Sequence, residues 1–353
     1  MKEILIVSWN GESGGGAERV THYARMAWQD RYKITIIDLE MVKSDKKYDI
    51  WLGLHYALDA LVVSAYTNAY IRKKLKKMKR EDLIVVTQGY NAPLVEADIA
   101  FAHGTMRMFQ IKTYNDHRWH FSQFFEMRSW NKSKRLIAVG EHVKREAIDL
   151  YHVSQDKIHI IENCVDTDIF YPLQEKECEA HNTILFCGRL FPGKGLDKLL
   201  ELARLLEEQD ELSLLIAAPI SINAELFANM RHTKVMIGLK RDEMNAFYNA
   251  GSVMFFPSLY EGWELVTLEC LSAGVPVLGR DVGAAGDLWH DGQRGVKLMS
   301  DDMQENLSAI RKLAGQYRDM KDRMSLHEDM VEKYSLSQYK NKLNAFLKDN
   351  QRK

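Results

Sequence analysis

Short apolar runs alternate with helical patterns along the whole chain, and this alternation limits the possible folds more than any other feature. A strand, a helix and a further strand in that order favour a parallel sheet with helices on both faces. In such sheets, ligands bind beyond the carboxyl ends of the strands. The predicted strands are 4–7, 34–39, 49–54, 83–87, 99–102, 136–139 and 158–161 in the first half and 184–187, 212–217, 235–237, 253–256 and 275–278 in the second.

The length of 353 residues is enough for two such domains, each with its own core. Apolar residues make up 46% of the chain and charged residues 27%, which is typical of a soluble globular protein. The net charge of −1 gives no indication of nucleic-acid binding. The N-terminal apolar run is too short for a signal peptide or a membrane span, so we expect a cytoplasmic protein. The cysteines have no metal-ligand spacing, which favours reduced thiols; they are Cys164, Cys178, Cys187 and Cys270.

A glycine-rich turn at 11–16 separates the first predicted strand from a helix that begins near Glu18. The N–H groups at the start of a helix attract phosphate, so this turn is a candidate anion-binding site, with Gly15 and Gly16 next to the helix. The turn lacks the Gly-Lys-Ser/Thr of a P-loop and the spacing of a dinucleotide-binding fingerprint. The alternative interpretation is a tight structural turn.

Polar residues follow two neighbouring predicted strands where each strand ends. Gln88 and Gly89 follow the strand at 83–87, and His103 follows the strand at 99–102. A single histidine is more often structural, but a position at the carboxyl end of a strand favours contact with a ligand. His103 is therefore a candidate site residue.

The second half of the chain opens with a strand at 184–187 that leads into a loop containing Gly188, Arg189 and Lys194. Two cations held at the end of a strand can bind a diphosphate without help from a metal ion. An exposed basic turn is the alternative. The glycines of this loop, the strand before it and the helix predicted after it favour the first interpretation.

The stretch 257–278 places two carboxylates around the start of a helix. Glu261 lies in the loop before the predicted helix at 265–273, and Glu269 lies on its second turn, so both can face a ligand at the N-terminus of that helix. This end carries unpaired N–H groups and a partial positive charge, which suit a phosphate. Two glutamates at this spacing are a weak signal alone, and the apolar strands on both sides strengthen it.

The segment 72–80, from Arg72 to Arg80, carries seven basic residues in nine. One interpretation is a solvated helix end, which the helix dipole favours. The other is docking on an anionic membrane surface, where each basic residue contributes about 1 kcal/mol. A later aromatic run would support membrane contact or line an acceptor groove, but core packing is the simpler explanation at helical spacing. This run contains Trp119, His120, Phe121, Phe124, Phe125 and Trp130.

Residues 162–182 break the periodicity, because they contain Pro172 and a cluster of charges, as is typical of a linker. The predicted organisation is an N-terminal domain at 1–164, a hinge at 165–182, a C-terminal domain at 183–332 and a final helical segment at 333–353.

These motifs together resemble those of the retaining glycosyltransferases of family four, also called glycosyl transferases group 1, which have the GT-B fold. The family pattern Ser-x-x-Glu-Gly-Phe-Gly-Leu-x-x-x-Glu, followed by Gly-Val-Pro-Val, is matched by Ser258, Glu261, Gly262, Leu265, Glu269, Gly274, Val275, Pro276 and Val277. The loop at 188–195 resembles Gly-Arg-x-x-x-x-Lys-Gly, and 15–18 resembles Gly-Gly-x-Glu. The family's hinge pattern is matched by Asn163, Val165, Asp166 and Phe170, so Asp166 and Asp168 are not interpreted as the Asp-x-Asp metal motif of another fold.

The resemblance implies an α/β protein of GT-B architecture, with two Rossmann-like domains facing a central cleft. It implies that the second domain holds most of a nucleotide sugar and that the final helix crosses back to the first domain. By this resemblance, Glu269 contacts the ribose, and Gly238 and Leu239 contact the base. Arg189 and Lys194, in the loop that begins at Gly188, contact the diphosphate, and the amides near Leu265 and Val266 contact phosphate and sugar. Glu261 contacts sugar hydroxyls, and Gly15, Gly16 and His103 approach the donor from the first domain.

The implied activity is retaining transfer of a hexosyl or N-acetylhexosaminyl group from a UDP or GDP sugar to a glycan, glycolipid or lipid-linked acceptor. The departing phosphate oxygen serves as the base in the usual description of such enzymes, so neither an enzymic nucleophile nor a metal is expected. Glu264 replaces the second glycine of the family pattern. Its carboxylate would either accept a hydrogen bond from a sugar hydroxyl or narrow the donor pocket. Glu264 and Cys164, which also replaces a glycine, motivate the alternative of a non-catalytic nucleotide-sugar-binding subunit.

Overall fold

A computed structural model of the protein describes residues 2–12, 15–50, 52–53, 56–89, 91–113, 120–174, 182–209 and 211–349. The chain divides into two compact units. Unit 1 comprises Met1–Ile111, Asn115–Asn163 and Tyr339–Lys353, and unit 2 comprises Lys112–Tyr114 and Cys164–Gln338. The predicted domain limits themselves stay predictions. Cys178, Trp119 and the side chain of His120 lie outside the described part of the chain.

Unit 1 contains one parallel sheet. Its strands are β1 (Glu3–Val7), β2 (Lys33–Ile37), β3 (Leu83–Gln88), β4 (Ile99–Ala102), β5 (Arg135–Ala138) and β6 (Ile158–Ile160), in the order β2-β1-β3-β4-β5-β6. Its helices are α1 (Gly16–Trp28), α2 (Leu39–Lys43), α3 (Lys46–Asp49), α4 (Tyr56–Leu75), α5 (Met106–Thr113), α6 (His120–Lys132) and α7 (Glu141–Tyr151). All five residues of β1 are buried, which explains why the four residues after Glu3 are an uninterrupted apolar run rather than an alternating one.

Unit 2 contains a second parallel sheet. Its strands are β7 (Thr183–Cys187), β8 (Ser213–Ala218), β9 (Thr233–Ile237), β10 (Val253–Phe256), β11 (Val277–Gly279) and β12 (Val296–Leu298), in the order β12-β11-β10-β7-β8-β9. The later helices are α8 (Leu196–Glu207), α9 (Arg241–Asn249), α10 (Leu265–Ser272), α11 (Gly283–His290), α12 (Met303–Gln316), α13 (Met320–Tyr334) and α14 (Leu336–Asp349). The two six-stranded sheets with their helices confirm the predicted α/β class with two Rossmann-like domains.

The strand predicted at 49–54 is wrong. The chain forms α3 just before this segment, and the Asp45 side chain accepts a hydrogen bond from Lys47 N at 3.2 Å. An aspartate at this position stabilises the start of a helix. Residues 50, 52 and 53 form turns, and residues 51 and 54 lie outside the described part of the chain.

The last helix packs within unit 1. The Arg135 guanidinium donates to the Phe346 carbonyl at 3.1 and 3.2 Å and lies 3.6 Å from the centre of its ring. Asn344 donates to the Ala27 carbonyl at 3.2 Å. Because Leu343 and Leu347 are also buried, α14 is held by apolar packing as well as by these polar contacts.

The basic segment and the aromatic run lie partly on the surface of unit 1. Lys74 pairs with Glu3 at 2.7 Å and Arg80 with Asp98 at 2.9 Å. The other cations of the segment are exposed; they are Arg72, Lys73, Lys76, Lys77 and Lys79. Core packing is confirmed for Phe125 and Trp130, whereas Phe121 and Phe124 are exposed. Within the described ranges, we find no helix long and apolar enough to cross a bilayer.

Candidate functional site

The strand order of unit 2 creates a crevice at one place in the sheet. From β7 the chain moves outward through β8 and β9, and from β10 it moves the other way through β11 and β12. The two strands at the reversal, β7 and β10, are parallel neighbours. Loops that leave such a pair diverge, and ligands bind between them. The topology therefore points to the loops 188–195 and 257–264, which carry the predicted residues Gly188, Arg189, Lys194, Glu261 and Glu264.

These two loops touch through their backbones. Leu259 N donates to the Gly193 carbonyl at 3.0 Å. Gly195 has a φ of +73°, and a β-carbon on it would lie 2.7 Å from Pro257 Cβ. A side chain at position 195 would therefore be strained by its backbone and blocked by the opposite loop. Gly195 fixes the spacing of the two loops.

Lys194 and Glu261 meet across this contact. Lys194 ends the short 3₁₀ turn Pro192–Lys194, and its Nζ donates to Glu261 Oε1. The two side chains are only 21% and 13% exposed. Arg189, the other predicted cation, is exposed, and its guanidinium lies 4.9 Å from the centre of the Phe191 ring. The structure thus joins one predicted cation to one predicted carboxylate and leaves Arg189 stacked at the surface of the loop.

Helix α10 begins directly after this pair. Glu264 is its N-cap, but the Glu264 side chain accepts no hydrogen bond from a backbone N–H in the first turn of the helix. Leu265 is buried and Val266 is half-buried. The first N–H groups of a helix have no partner within it and carry partial positive charge. The start of α10 is therefore available to an anion beside Lys194.

The Glu264 carboxylate faces a different helix. It accepts hydrogen bonds from Ala284 N at 2.8 Å and Ala285 N at 3.0 Å, in the first turn of α11, and from Thr267 Oγ1 at 2.5 Å. Burial, and then the charge of Glu261, raise the pKa of Glu264 to about 7, and these hydrogen bonds offset part of the rise. The predicted contact of Glu264 with a sugar hydroxyl stays a prediction.

Glu269 is buried on the second turn of α10, and Oε2 of its carboxylate accepts a hydrogen bond from the Tyr248 hydroxyl at 2.7 Å. Tyr248 lies on α9, is fully buried and packs edge-to-face on Phe170. No sequence pattern predicts Tyr248 as a site residue, because a tyrosine at helical spacing is most simply a core residue. The structure shows that it orients one of the two predicted glutamates.

The remaining predicted residues of unit 2 lie along the same edge of the sheet. Gly188 follows β7 directly, and Gly238 and Leu239 follow β9, the edge strand two positions from β7. Gly238 has a φ of +69° and is exposed, and Leu239 is half-buried. Parallel strands lie about 4.8 Å apart, so β9 lies about 10 Å from β7.

The predicted residues of unit 1 also lie at strand ends. Gly15 is the N-cap of α1, and Gly16 is its first residue, with open space around its α-carbon. His103 follows β4, stacks on Phe101 and shares a 2.5 Å hydrogen bond with Gln88 Oε1. Burial lowers the pKa of His103 to about 4, so its ring is neutral at pH 7.

A buried carboxyl group holds the segment that follows His103. Glu126 Oε2 on α6 accepts hydrogen bonds from Met106 N and from the Tyr151 hydroxyl, each at 2.7 Å. Burial raises the pKa of Glu126 to about 8, although these bonds oppose the rise. Glu126 therefore fixes the start of α5, a role that no sequence pattern predicts.

Two family models match the chain. One family model, described as Glycosyltransferase Family 4, matches residues 14–169, and another, described as Glycosyl transferases group 1, matches residues 181–316. The chain belongs to the family-four, group 1 glycosyltransferases. The predicted resemblance is confirmed, and the two models match most of the chain, one in each half.

One relative and two solved structures illustrate the position of the chain within this glycosyltransferase family. The MMP α-(1→4)-mannosyltransferase of Mycolicibacterium hassiacum is 28% identical over 174 residues, which are 47% of this chain and 42% of the relative. The chain spans about half the length of the curated relatives it matches.

The two solved structures share the fold of the chain. WaaG, a glycosyltransferase involved in lipopolysaccharide biosynthesis, has a TM-score of 0.73 at 15% identity, over 97% of this chain and 99% of that one. HepE of Anabaena, in complex with UDP and glucose, has a TM-score of 0.74 at 14% identity, over 99% of this chain and all of that one. At these identities the likeness shows the fold alone, which is GT-B.

Among the described residues of this glycosyltransferase, no group of His, Cys, Asp and Glu side chains is arranged to hold a metal ion. The three described cysteines, Cys164, Cys187 and Cys270, form no disulfide bond.

Proposed function

We propose that the protein is a retaining glycosyltransferase that moves a hexosyl or N-acetylhexosaminyl group from a UDP or GDP sugar to a glycan, glycolipid or lipid-linked acceptor. The observation that carries this proposal is the Lys194–Glu261 pair beside the open N-terminus of α10, at the strand reversal of unit 2. A cation and a helix N-terminus suit a diphosphate, and a carboxylate next to them suits the hydroxyls of an attached sugar. Membership of the glycosyltransferase family supports this assignment.

The chemistry assigned to these residues follows from their charges. As the glycosidic bond breaks, negative charge grows on the leaving diphosphate. The Lys194 ammonium, the Arg189 guanidinium and the amides of Leu265 and Val266 stabilise that charge, because they are held in place before the reaction starts. Glu269, oriented by Tyr248, accepts hydrogen bonds from the ribose. These roles, and the proposed donor contacts of Glu261, His103, Gly15, Gly16, Gly188, Gly238 and Leu239, are part of the proposal.

The relatives favour a nucleotide-bound hexose as donor. HepE was crystallised with UDP and glucose, and the M. hassiacum relative is named a mannosyltransferase. The departing phosphate oxygen can deprotonate the acceptor on the same face of the sugar, so the mechanism asks for no base from the chain. Retention of the anomeric configuration is tested by following the product anomer by NMR as it forms.

The direct test replaces the two cations. Arg189→Ala and Lys194→Met should each reduce hydrolysis or transfer of the preferred donor by about 10²–10³-fold, because each removes roughly 3–4 kcal/mol of transition-state stabilisation. Lys198→Met is the matched control: Lys198 lies on α8 and binds Glu201 Oε2 at 2.8 Å and the Asp301 carbonyl at 2.9 Å. Equal rates for the wild type and the Lys194 variant would contradict the proposal. Donor binding without turnover in any acceptor mixture would favour a non-catalytic subunit.

The exposed cations of the segment 72–80 support a location at the inner face of a membrane, where a lipid-linked acceptor is found. Five exposed charges at about 1 kcal/mol each are enough for reversible binding to anionic lipid. Co-sedimentation with vesicles of phosphatidylserine tests this, because replacement of Lys73, Lys76 and Lys77 by glutamine should abolish it. If the glutamine variant sediments with vesicles as the wild type does, the segment does not bind the membrane and is a solvated helix end.

A further inference from the structure

Glu264 differs from three aspartates that cap helices in this chain. Asp38, Asp45 and Asp302 each accept a hydrogen bond from a backbone N–H at the start of their own helix. Glu264 is the N-cap of α10, but its carboxylate binds the first turn of the next helix, α11. One helix start therefore stays open at the proposed donor site, while the neighbouring one is closed by an anion from the chain itself.

The fit between Glu264 and α11 is close. Gly283, the first residue of α11, has a φ of +57°, and a β-carbon on it would collide with Glu264 Oε2 and lie 2.6 Å from Glu261 Cβ. The start of α11 is thus packed against both Glu264 and Glu261. Glu261, the partner of Lys194, is the residue proposed to bind the sugar. The Glu264 carboxylate lies behind Glu261, because both residues pack against Gly283. Gly283 is the residue that makes room for it.

Two carboxylates, Glu261 and Glu264, lie next to the start of α11, and the nearby Arg280 guanidinium donates to the Pro257 carbonyl at 3.4 Å. Lys194 compensates Glu261, but the hydrogen-bond partners of Glu264 are all uncharged: two amides and a hydroxyl. On the far side of the α11 start, the Asp281 carboxylate pairs with His290 at 3.0 Å. A sugar carboxylate placed next to Glu261 would meet this negative field in a partly buried site, where repulsion between like charges is weakly screened.

We propose that Glu264 is a specificity-determining residue, which makes the donor site select neutral sugars over sugars that carry a carboxylate. The inference rests on the proposed function, and it narrows the donor class within it. Glu264 acts in two ways: it occupies the positive end of α11, which would otherwise attract an acidic sugar, and it adds its own charge behind Glu261. Its effect falls on the sugar and not on the diphosphate, which faces α10 and the two cations.

The test compares ligands that differ only in the sugar. Dissociation constants are measured by calorimetry at pH 8, where Glu264 is mostly ionised, for UDP, UDP-glucose and UDP-glucuronate, or for the matching GDP, GDP-mannose and GDP-mannuronate. The proteins are the wild type, Glu264→Gln and Glu264→Asp. Asp302→Asn is the matched control, because it removes a capping carboxylate from α12, a helix away from the proposed site. Glutamine keeps the size of the side chain and removes its charge.

The wild type should bind the neutral sugar nucleotide more tightly than the acidic one. Glu264→Gln should reduce this preference about tenfold, with the affinity for the nucleotide alone changed less than twofold. Tenfold corresponds to about 1.4 kcal/mol. Glu264→Asp and Asp302→Asn should both keep the wild-type preference. Because the readout is a ratio of two affinities on one protein, partial loss of stability does not change it.

Three other results would overturn the inference. An unchanged preference in Glu264→Gln would show that the charge does not reach the sugar. Equal weakening of all three ligands would show that Glu264 only supports the structure. Tighter binding of the acidic sugar by the wild type would reverse the sign of the effect. Nucleotide binding with any of these results leaves the proposed function standing, whereas a wild type that binds no nucleotide overturns both.

Discussion

Replacement of Tyr248 by phenylalanine removes the hydroxyl that orients Glu269 in the proposed nucleotide site. The Tyr248 hydroxyl is fully buried and donates to Glu269 Oε2 at 2.7 Å. Burial, followed by the nearby Cys187 and Glu269, raises the pKa of Tyr248 well above its ordinary value, so the group stays a donor at any working pH. Phenylalanine fills the same space and keeps the edge-to-face contact with Phe170, whose ring centre lies 5.7 Å away. The variant therefore removes the hydrogen bond to Glu269 and a weak 3.9 Å contact of the hydroxyl with Cys187 Sγ, and changes little else.

The expected loss can be estimated from this contact. A hydrogen bond to a charged group contributes about 1.5–3 kcal/mol, and the carboxylate left behind is buried. The free energy of unfolding of unit 2 should fall by roughly 2 kcal/mol, measured by urea denaturation. If Glu269 holds the ribose, the affinity for UDP or GDP should also fall by about fivefold to tenfold in calorimetry, because the carboxylate is no longer held in one orientation.

Tyr151→Phe is the matched control. Tyr151 is also a buried tyrosine that donates to a buried glutamate, Glu126, at 2.7 Å, but in unit 1. It should lose stability and keep the affinity for nucleotide. A Tyr248→Phe protein that is destabilised but binds nucleotide like the wild type would refute the role given to Glu269. Unchanged stability would refute the hydrogen-bond argument itself.

Two further predictions concern the stability of the fold. The pKa values of Glu264 and Glu126 are raised from 4.5 to about 7 and about 8, so the folded state binds more protons than the unfolded state, and their contribution is lost as pH rises through these values. His103, lowered from 6.5 to about 4, acts in the opposite direction, mainly below pH 6.5. Between pH 6.5 and 8.5 the free energy of unfolding, summed over both units, should therefore fall by roughly 2 kcal/mol. A free energy of unfolding that rises over this range, measured by chemical denaturation, would contradict these assignments. Gly195→Ala should destabilise unit 2 by roughly 3 kcal/mol, because it adds left-handed strain to a clash with Pro257. Gly315→Ala, in α12 with open space around it, should instead stabilise by about 0.5–1 kcal/mol, and equal effects of the two changes on the melting temperature would refute the loop-contact argument.

Much of the fold is readable from the sequence because the strands of both sheets are buried on two faces. Each such strand is an apolar run that ends in glycine or a polar residue, and the order of runs and helices limits the sheet to parallel pairing. The segment 49–54 shows where this reasoning fails. Its apolar residues have the composition of a strand, but Asp45 before them caps a short helix. The hydrogen bond from Lys47 N to the Asp45 carboxylate stabilises that helix, and the apolar pattern does not report it.

Site residues are predictable from the sequence where the spacing of loops and strands determines their position. They are not predictable where the partner of a side chain lies far away in the sequence. Lys194 and Glu261 were predicted from the loops that carry them, because both loops leave strands at the same edge of the sheet. The direction of the Glu264 side chain depends on Gly283, nineteen residues later, and no local pattern encodes it. Tyr248 was hidden for the same reason, since its partner Glu269 lies on another helix.

The central claim is that the loops 188–195 and 257–264 and the start of α10 bind a nucleoside diphosphate. Hydrogen–deuterium exchange with and without saturating UDP or GDP tests it most directly. The account predicts that the amides of Leu265, Val266 and Gly193 to Gly195 become protected in the wild type, and that this protection is lost in Lys194→Met. Protection confined to other segments, or no change at these amides while calorimetry shows the nucleotide bound, would contradict the account.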